Sequence, residues 1–142
     1  MILNRSARLI LNVPYMERIT PSLIELHWLP IKARIIYKIC VLVFQALTVG
    51  QPSYIYDILT PFHTSSLTLR HSDDQYRLLE PRVSSHTGTR SFYFCAPRLF
   101  NCLPQSIKES ETLTVFKKIL KTHLFAQSFN LTTMSINDNF QT

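Results

Sequence analysis

The stretch IIYKICVLVFQAL, residues Ile35 to Leu47, decides the fold class of this chain. It is apolar enough to be buried, but it contains Lys38 and Gln45 and falls short of the roughly 20 residues that a membrane span needs. From Pro30 onward, Ile31, Ile35, Ile39, Leu42 and Ala46 recur at the three-four spacing of one helical face. Ile36, Cys40, Val43 and Leu47 make a second apolar row beside it. A helix over Pro30 to Leu47 that is apolar over so wide an arc is predicted to be central and covered on more than one side. Lys32, Arg34 and Lys38 fall in its first half, which is expected to meet solvent or a partner.

Helices flank this element. One is predicted from Met1 to about Asn12, stopping ahead of Pro14 because the residue before proline resists the helical region. Thr20-Pro21 marks the next start, a capping hydroxyl followed by proline in the first turn, with an end near Trp28. Pro52 opens a short helix through Tyr54, Ile55, Ile58 and Leu59, closed by Pro61. Residues 62–90 are rich in Ser, Thr and His, and Leu67 to Arg70 with Tyr76 to Leu79 suggest a minor β-hairpin near residues 66–80. Phe92 to Leu103 is aromatic and compact. Glu111-Thr112 starts a last helix, with Leu113, Phe116, Leu120 and Leu124 on one face and Lys117, Lys118 and Lys121 opposite. The fold class is therefore mainly α: one small helical domain over residues 1–126, then a polar tail, 127–142, expected to be disordered.

The totals narrow the function. A chain of 142 residues can hold one domain with a real core. Fifteen Lys and Arg against nine Asp and Glu give a net charge of +6, which suits a polyanion or an acidic partner. Only 17% of residues are charged, as expected where apolar surface is covered by a partner. The two glycines, Gly50 and Gly88, cannot build a phosphate-cradling loop or a dinucleotide fingerprint. Three cysteines suit a reducing compartment, so an intracellular location, nuclear or cytoplasmic and not secreted, is expected. The opening MILNRSARLILNVP resembles a transit peptide, but an amphipathic helix packed on the domain is the favoured reading.

Three groups could carry chemistry. In FCAPRLFNCLP, residues 94–104, Cys95 and Cys102 would stand about 10 Å apart along a continuous helix, too far for a disulfide. Pro97 argues that the helix starts there instead, and no nearby pair completes a tetrahedral metal site. Packing is the favoured role for both cysteines. Asp73-Asp74 could be read as a two-cation pair, but its Ser, His and Gln neighbours favour a turn. His27, His63, His71, His86 and His123 are scattered, with no nucleophile or orienting acid placed to use them. The basic face Lys117, Lys118 and Lys121, with Arg90 and Arg98 contributing, is either a solvated helix face or a surface for phosphates.

ITPSLIELHWLPIKARIIYKICVLVFQAL, from Ile19, resembles the region after the polymerase core in LINE-type (non-LTR) retrotransposon reverse transcriptases of the jockey-like group. The likeness rests on Leu26 to Pro30, Arg34-Ile35, Tyr37 to Ile39 and Ala46-Leu47. It continues through Pro52, Tyr54, Asp57 and Leu59, then Pro81-Arg82, Gly88, Arg90 and Phe92. APRLFNCLPQSIKES is similar to the family's Ala-Pro-x-Leu-Trp-Asn-x-Leu-Pro-x-x-Ile signature, with Phe100 where the family usually has Trp. FKKILKTHLF is similar to its closing motif, so the resemblance spans about Arg5 to Phe125.

The resemblance implies a non-catalytic C-terminal fragment of an RNA-directed DNA polymerase. The family's aromatic-x-Asp-Asp hairpin and its earlier aspartate have no counterpart here, and Asp73-Asp74 does not align with them. No catalytic residue, no metal ligand and no cofactor is therefore expected in this chain, although the parent polymerase uses Mg2+. Its Met1 would be a start placed inside a longer ancestral frame. The implied partners are RNA, an RNA–DNA hybrid or the polymerase core, with no membrane and no small-molecule substrate. The residues expected to touch phosphate are Lys117, Lys118, Lys121, Arg90 and Arg98. A helical protein-interaction module, or an orphan remnant, with no nucleic-acid role is the alternative.

Overall fold

In the computed structural model, residues 2–59 and 76–129 are described. Among them the protein is mainly α, with seven α-helices: α1 Ile2–Leu11, α2 Thr20–Glu25, α3 Ile31–Val49, α4 Ser53–Ile58, α5 Phe92–Asn101, α6 Gln105–Lys108 and α7 Leu113–Ser128. A 3-10 turn, Gly88–Arg90, precedes α5. The expected strand Leu67 to Arg70, the Asp73-Asp74 pair, His63, His71 and most of the polar tail lie outside the described residues. The other arm of the expected hairpin, Tyr76 to Leu79, has one β-bridge position at Leu78 and forms no strand.

The chain divides into two compact units: residues up to Tyr37 with those from Leu120 onward, and residues from Lys38 to Ile119. The first unit is shaped by its helix stops. α1 ends at Asn12, whose φ of 51° is left-handed, while the Val13 N–H donates to the Arg8 carbonyl at 3.0 Å. That is the long bond of a Schellman stop, in which asparagine tolerates the left-handed position. α2 ends the same way. His27 has φ 52°, its N–H donates to the Ile24 carbonyl at 3.0 Å, and that of Trp28 donates to the Leu23 carbonyl at 2.9 Å. The Leu-His-Trp-Leu-Pro run is thus a turn that ends one helix and starts the next, with Leu29 buried beneath it.

Arg8 ties down the loop after α1. Its guanidinium donates to the carbonyls of Pro14 and Glu17 and lies 5.5 Å from the Tyr15 ring centroid. α1 packs on α2, and the buried side chains of this unit include Ala7, Leu23, Leu29, Ala33, Leu120 and Leu124. Thr20 begins α2 as a helical residue, not as its cap, and Ile19 before it makes no side-chain cap bond.

The second unit is organised around aromatic rings. Phe44 of α3 stacks on Phe116 of α7 with centroids 4.0 Å apart and planes 10° from parallel. Phe100 of α5 meets the same Phe116 at 6.5 Å. All three are essentially buried, as are Cys40, Val43, Ala46, Ala96 and Pro97. Lys108, only 2% exposed, sets its ammonium 6.0 Å from the Phe100 ring, a distance at which the ring quadrupole attracts a cation.

Two sequence expectations change here. α5 starts at Phe92 and carries Pro97 inside it. Its start is set by Ser91, whose hydroxyl accepts from the Phe94 N–H at 3.4 Å and donates to the Gly88 carbonyl at 2.7 Å. α3, expected to be covered on more than one side, is covered unevenly: Cys40 and Val43 of the second apolar row and Ala46 of the first are buried, while Ile31, Ile35 and Leu42 of the first row are 41, 55 and 37% exposed. Both rows are equally apolar, so periodicity alone does not choose between them.

Candidate nucleic-acid interface

α7 holds the densest cation cluster. Its buried face is Phe116, Leu120 and Leu124, and the packing of that row turns Lys117, Lys118 and Lys121 outward, all exposed. One helical turn separates the first of these lysines from the last, about 6 Å along the axis. The outward surface is not purely cationic, since Val115 and Ile119 are 44 and 39% exposed on the same helix. Thr112 anchors the start of α7, its hydroxyl accepting from the Val115 N–H at 3.3 Å.

Arg90 and Arg98 belong to different elements from the lysines. Arg90 closes the 3-10 turn ahead of α5 and is exposed. Arg98 is half-buried on α5, its guanidinium 5.9 Å from the Phe94 ring. The three lysines are brought together by one helix, whereas the two arginines are held near one another in the chain by α5 and its leading turn.

The cysteines divide by environment. Cys40 is buried, and burial, followed by the charge of Cys102, pushes its thiol from 9.0 up to about 12. Cys95 is half-buried, with its thiol donating to the Thr89 carbonyl at 3.1 Å. Cys102 is exposed at the C-terminal end of α5, its N–H donating to the Arg98 carbonyl at 3.2 Å. Packing therefore describes Cys40 and part of Cys95, and the expectation that Cys102 packs is corrected. Cys102 is the C-cap of α5 and keeps a helical conformation, and at about 100° per residue it falls on the side of the helix away from buried Ala96 and Phe100.

Among the described residues, no group of three or more His, Cys, Asp or Glu side chains could hold a metal ion. No helix among them is long and apolar enough to cross a membrane. His27 stacks on Phe125 at 5.6 Å and 12°, and burial lowers the pKa of His123. His86 is exposed, its carbonyl accepting from the Thr89 hydroxyl at 2.7 Å.

Sequence reading missed Asn101, whose side chain bonds both backbone groups of Leu78. The position was legible as part of the quoted signature, but a residue 23 positions away was not legible as its partner. No family model, curated protein or solved structure matches the chain.

Proposed function

We propose that this chain is a non-catalytic C-terminal fragment of a LINE-type reverse transcriptase that supports RNA or RNA–DNA hybrid binding through phosphate contacts. The reading rests on the ordered motifs from Leu26-His27-Trp28 to the closing FKKILKTHLF, and one structural observation supports it. Lys117, Lys118 and Lys121 stand exposed together on α7, a helix whose own sequence from Leu113 to Ser128 is basic and contains no Asp or Glu. Such a surface engages phosphates without reading bases. Arg90 and Arg98 would extend it. The compartment that follows is intracellular, nuclear or cytoplasmic.

Fluorescence anisotropy with a labelled RNA–DNA hybrid, repeated over a salt series, tests this. Binding should weaken log-linearly with salt. Replacing all three lysines with alanine should lower the slope by about 2 to 3, since each phosphate contact contributes close to one. Salt-insensitive binding, or an unchanged slope in the triple variant, would overturn the reading. The pure chain with Mg2+ should extend no primer; extension would sink the non-catalytic assignment.

A protein-interaction module without a nucleic-acid role is the second reading. It is favoured by the aliphatic residues that α3 leaves exposed.

A further inference from the structure

One line of side chains along α3 is open over the whole length of the helix, flanked by exposed Lys32, Arg34 and Thr48. Ile31, Ile35, Leu42 and Val49 are 41, 55, 37 and 64% exposed, and Lys38 is exposed and Gln45 half-exposed between them. Their separations run four, three, four, three, four. At 3.6 residues per turn all six positions stay within about 40° of one line down the helix. Spacing of this kind, sustained over ~27 Å, is the seam of a two-helix coiled coil.

The charges on α3 are unevenly placed. It contains no acid, Lys32 and Arg34 sit in its first turn, and its last turn has no base. Cations at a helix start oppose the helix dipole, and a helix end without a cation lacks its favourable partner. Each end of α3 therefore has what the other end needs.

We propose that this seam docks a second copy of the chain, α3 against α3 in antiparallel, as a two-fold-symmetric dimer. Centred on Cys40, that pairing sets Ile31 opposite Val49, Ile35 opposite Gln45 and Lys38 opposite Leu42 of the second copy. Every polar seam residue then faces an apolar one, and the ammonium of Lys38 reaches past the leucine to solvent. Lys32 and Arg34 come beside the base-free last turn of the other α3. A parallel pair would instead stack Lys32, Arg34 and Lys38 on their own images. An acidic helix from another protein would complement only the first half of α3, because Leu42 to Val49 carries no charge.

Sedimentation velocity of the intact chain without nucleic acid, over the micromolar range, tests the dimer and leaves the salt titration of hybrid binding independent of its result. Dimer is expected. Leu42→Lys places a second ammonium against Lys38 of the other copy and should raise the dimer dissociation constant about tenfold or more. Leu42→Glu gives that lysine a carboxylate and should weaken the dimer far less. Val49→Lys, at a more exposed position, supplies an independent disruption, and circular dichroism confirms that each variant keeps its helices. A chain that stays monomeric throughout overturns the proposal. So does equal weakening by Leu42→Lys and Leu42→Glu, which would mark a merely apolar surface or a parallel pair. Monomer that captures an acidic amphipathic peptide through the same residues overturns it in favour of a foreign helix.

Discussion

The side-chain amide of Asn101 binds the backbone of Leu78 at both ends: Nδ2 donates to the Leu78 carbonyl and Oδ1 accepts from the Leu78 N–H, each at 2.9 Å. The same Nδ2 also donates to the Glu80 carboxylate at 3.0 Å. One side chain thereby does what a neighbouring strand would do for this extended segment. It satisfies backbone groups of a residue whose side chain is only 2% exposed.

Asn101→Ala should destabilise the fold by about 1–3 kcal/mol, because it leaves both Leu78 groups without a partner. Asn101→Asp should be nearly as costly. It keeps the acceptor, loses the donor and brings a carboxylate up to Glu80. Urea unfolding gives the energies, and hydrogen exchange at the Leu78 amide should speed up in both variants.

Phe100 is fully buried against Phe116, with the Lys108 ammonium over its ring. Phe100→Ala should cost about 3–5 kcal/mol as a cavity opens. Phe100→Trp, the residue common in the resembled family, should cost about 1–3 kcal/mol here through overpacking. Thermal and urea denaturation distinguish these outcomes, and a neutral tryptophan would show that the site has room for the larger ring.

The thiols should react in order of environment. Exposed Cys102 should be alkylated first and buried Cys40 last, since only thiolate reacts and burial holds Cys40 near 12. Mass spectrometry of peptides from timed alkylation reads the order. The raised value also links stability to pH. Below 9.0 Cys40 is neutral in both states, but between 9.0 and about 12 the unfolded chain loses this proton more readily than the folded one. Stability contributed by the neutral thiol is therefore lost as pH rises through that window, and Cys40→Ala should flatten the decline.

The two glycines serve different needs. Gly50 follows α3 with φ +68°, and a Cβ added there would meet nothing within 4 Å, so Gly50→Ala should cost about 1–2 kcal/mol from backbone strain alone. At Gly88 a Cβ would lie 2.2 Å from Val83 Cγ1 and 2.8 Å from Ser85 Oγ. Gly88→Ala should cost about 1–3 kcal/mol by crowding. Adding Val83→Ala should recover part of the second loss and none of the first, as chemical denaturation of the single and double variants will show.

Much of the helical framework could be read from the chain alone. Prolines and three-four spacing located α3, α4 and α7 to within about two residues, the usual scatter at helix ends. The lysine cluster of α7 was legible for the same reason: when Phe116, Leu120 and Leu124 turn inward, Lys118 and Lys121 fall on other sides of the helix, with Lys117 at the edge of the buried row. The phosphate role assigned to it comes from a resemblance and from charge, and is a proposal.

Everything legible in this way is local: where helices run, where prolines interrupt the chain, and which side chains share a helical row. Those properties follow from backbone sterics and a fixed turn angle. Long-range packing had to settle that α3 buries Cys40 and Val43 while Ile31, Ile35 and Leu42 stay open, that α5 continues through Pro97, and that Asn101 holds Leu78. Two adjacent apolar rows are indistinguishable until other elements cover one of them, and a hydrogen bond spanning 23 residues leaves no periodic mark in the chain.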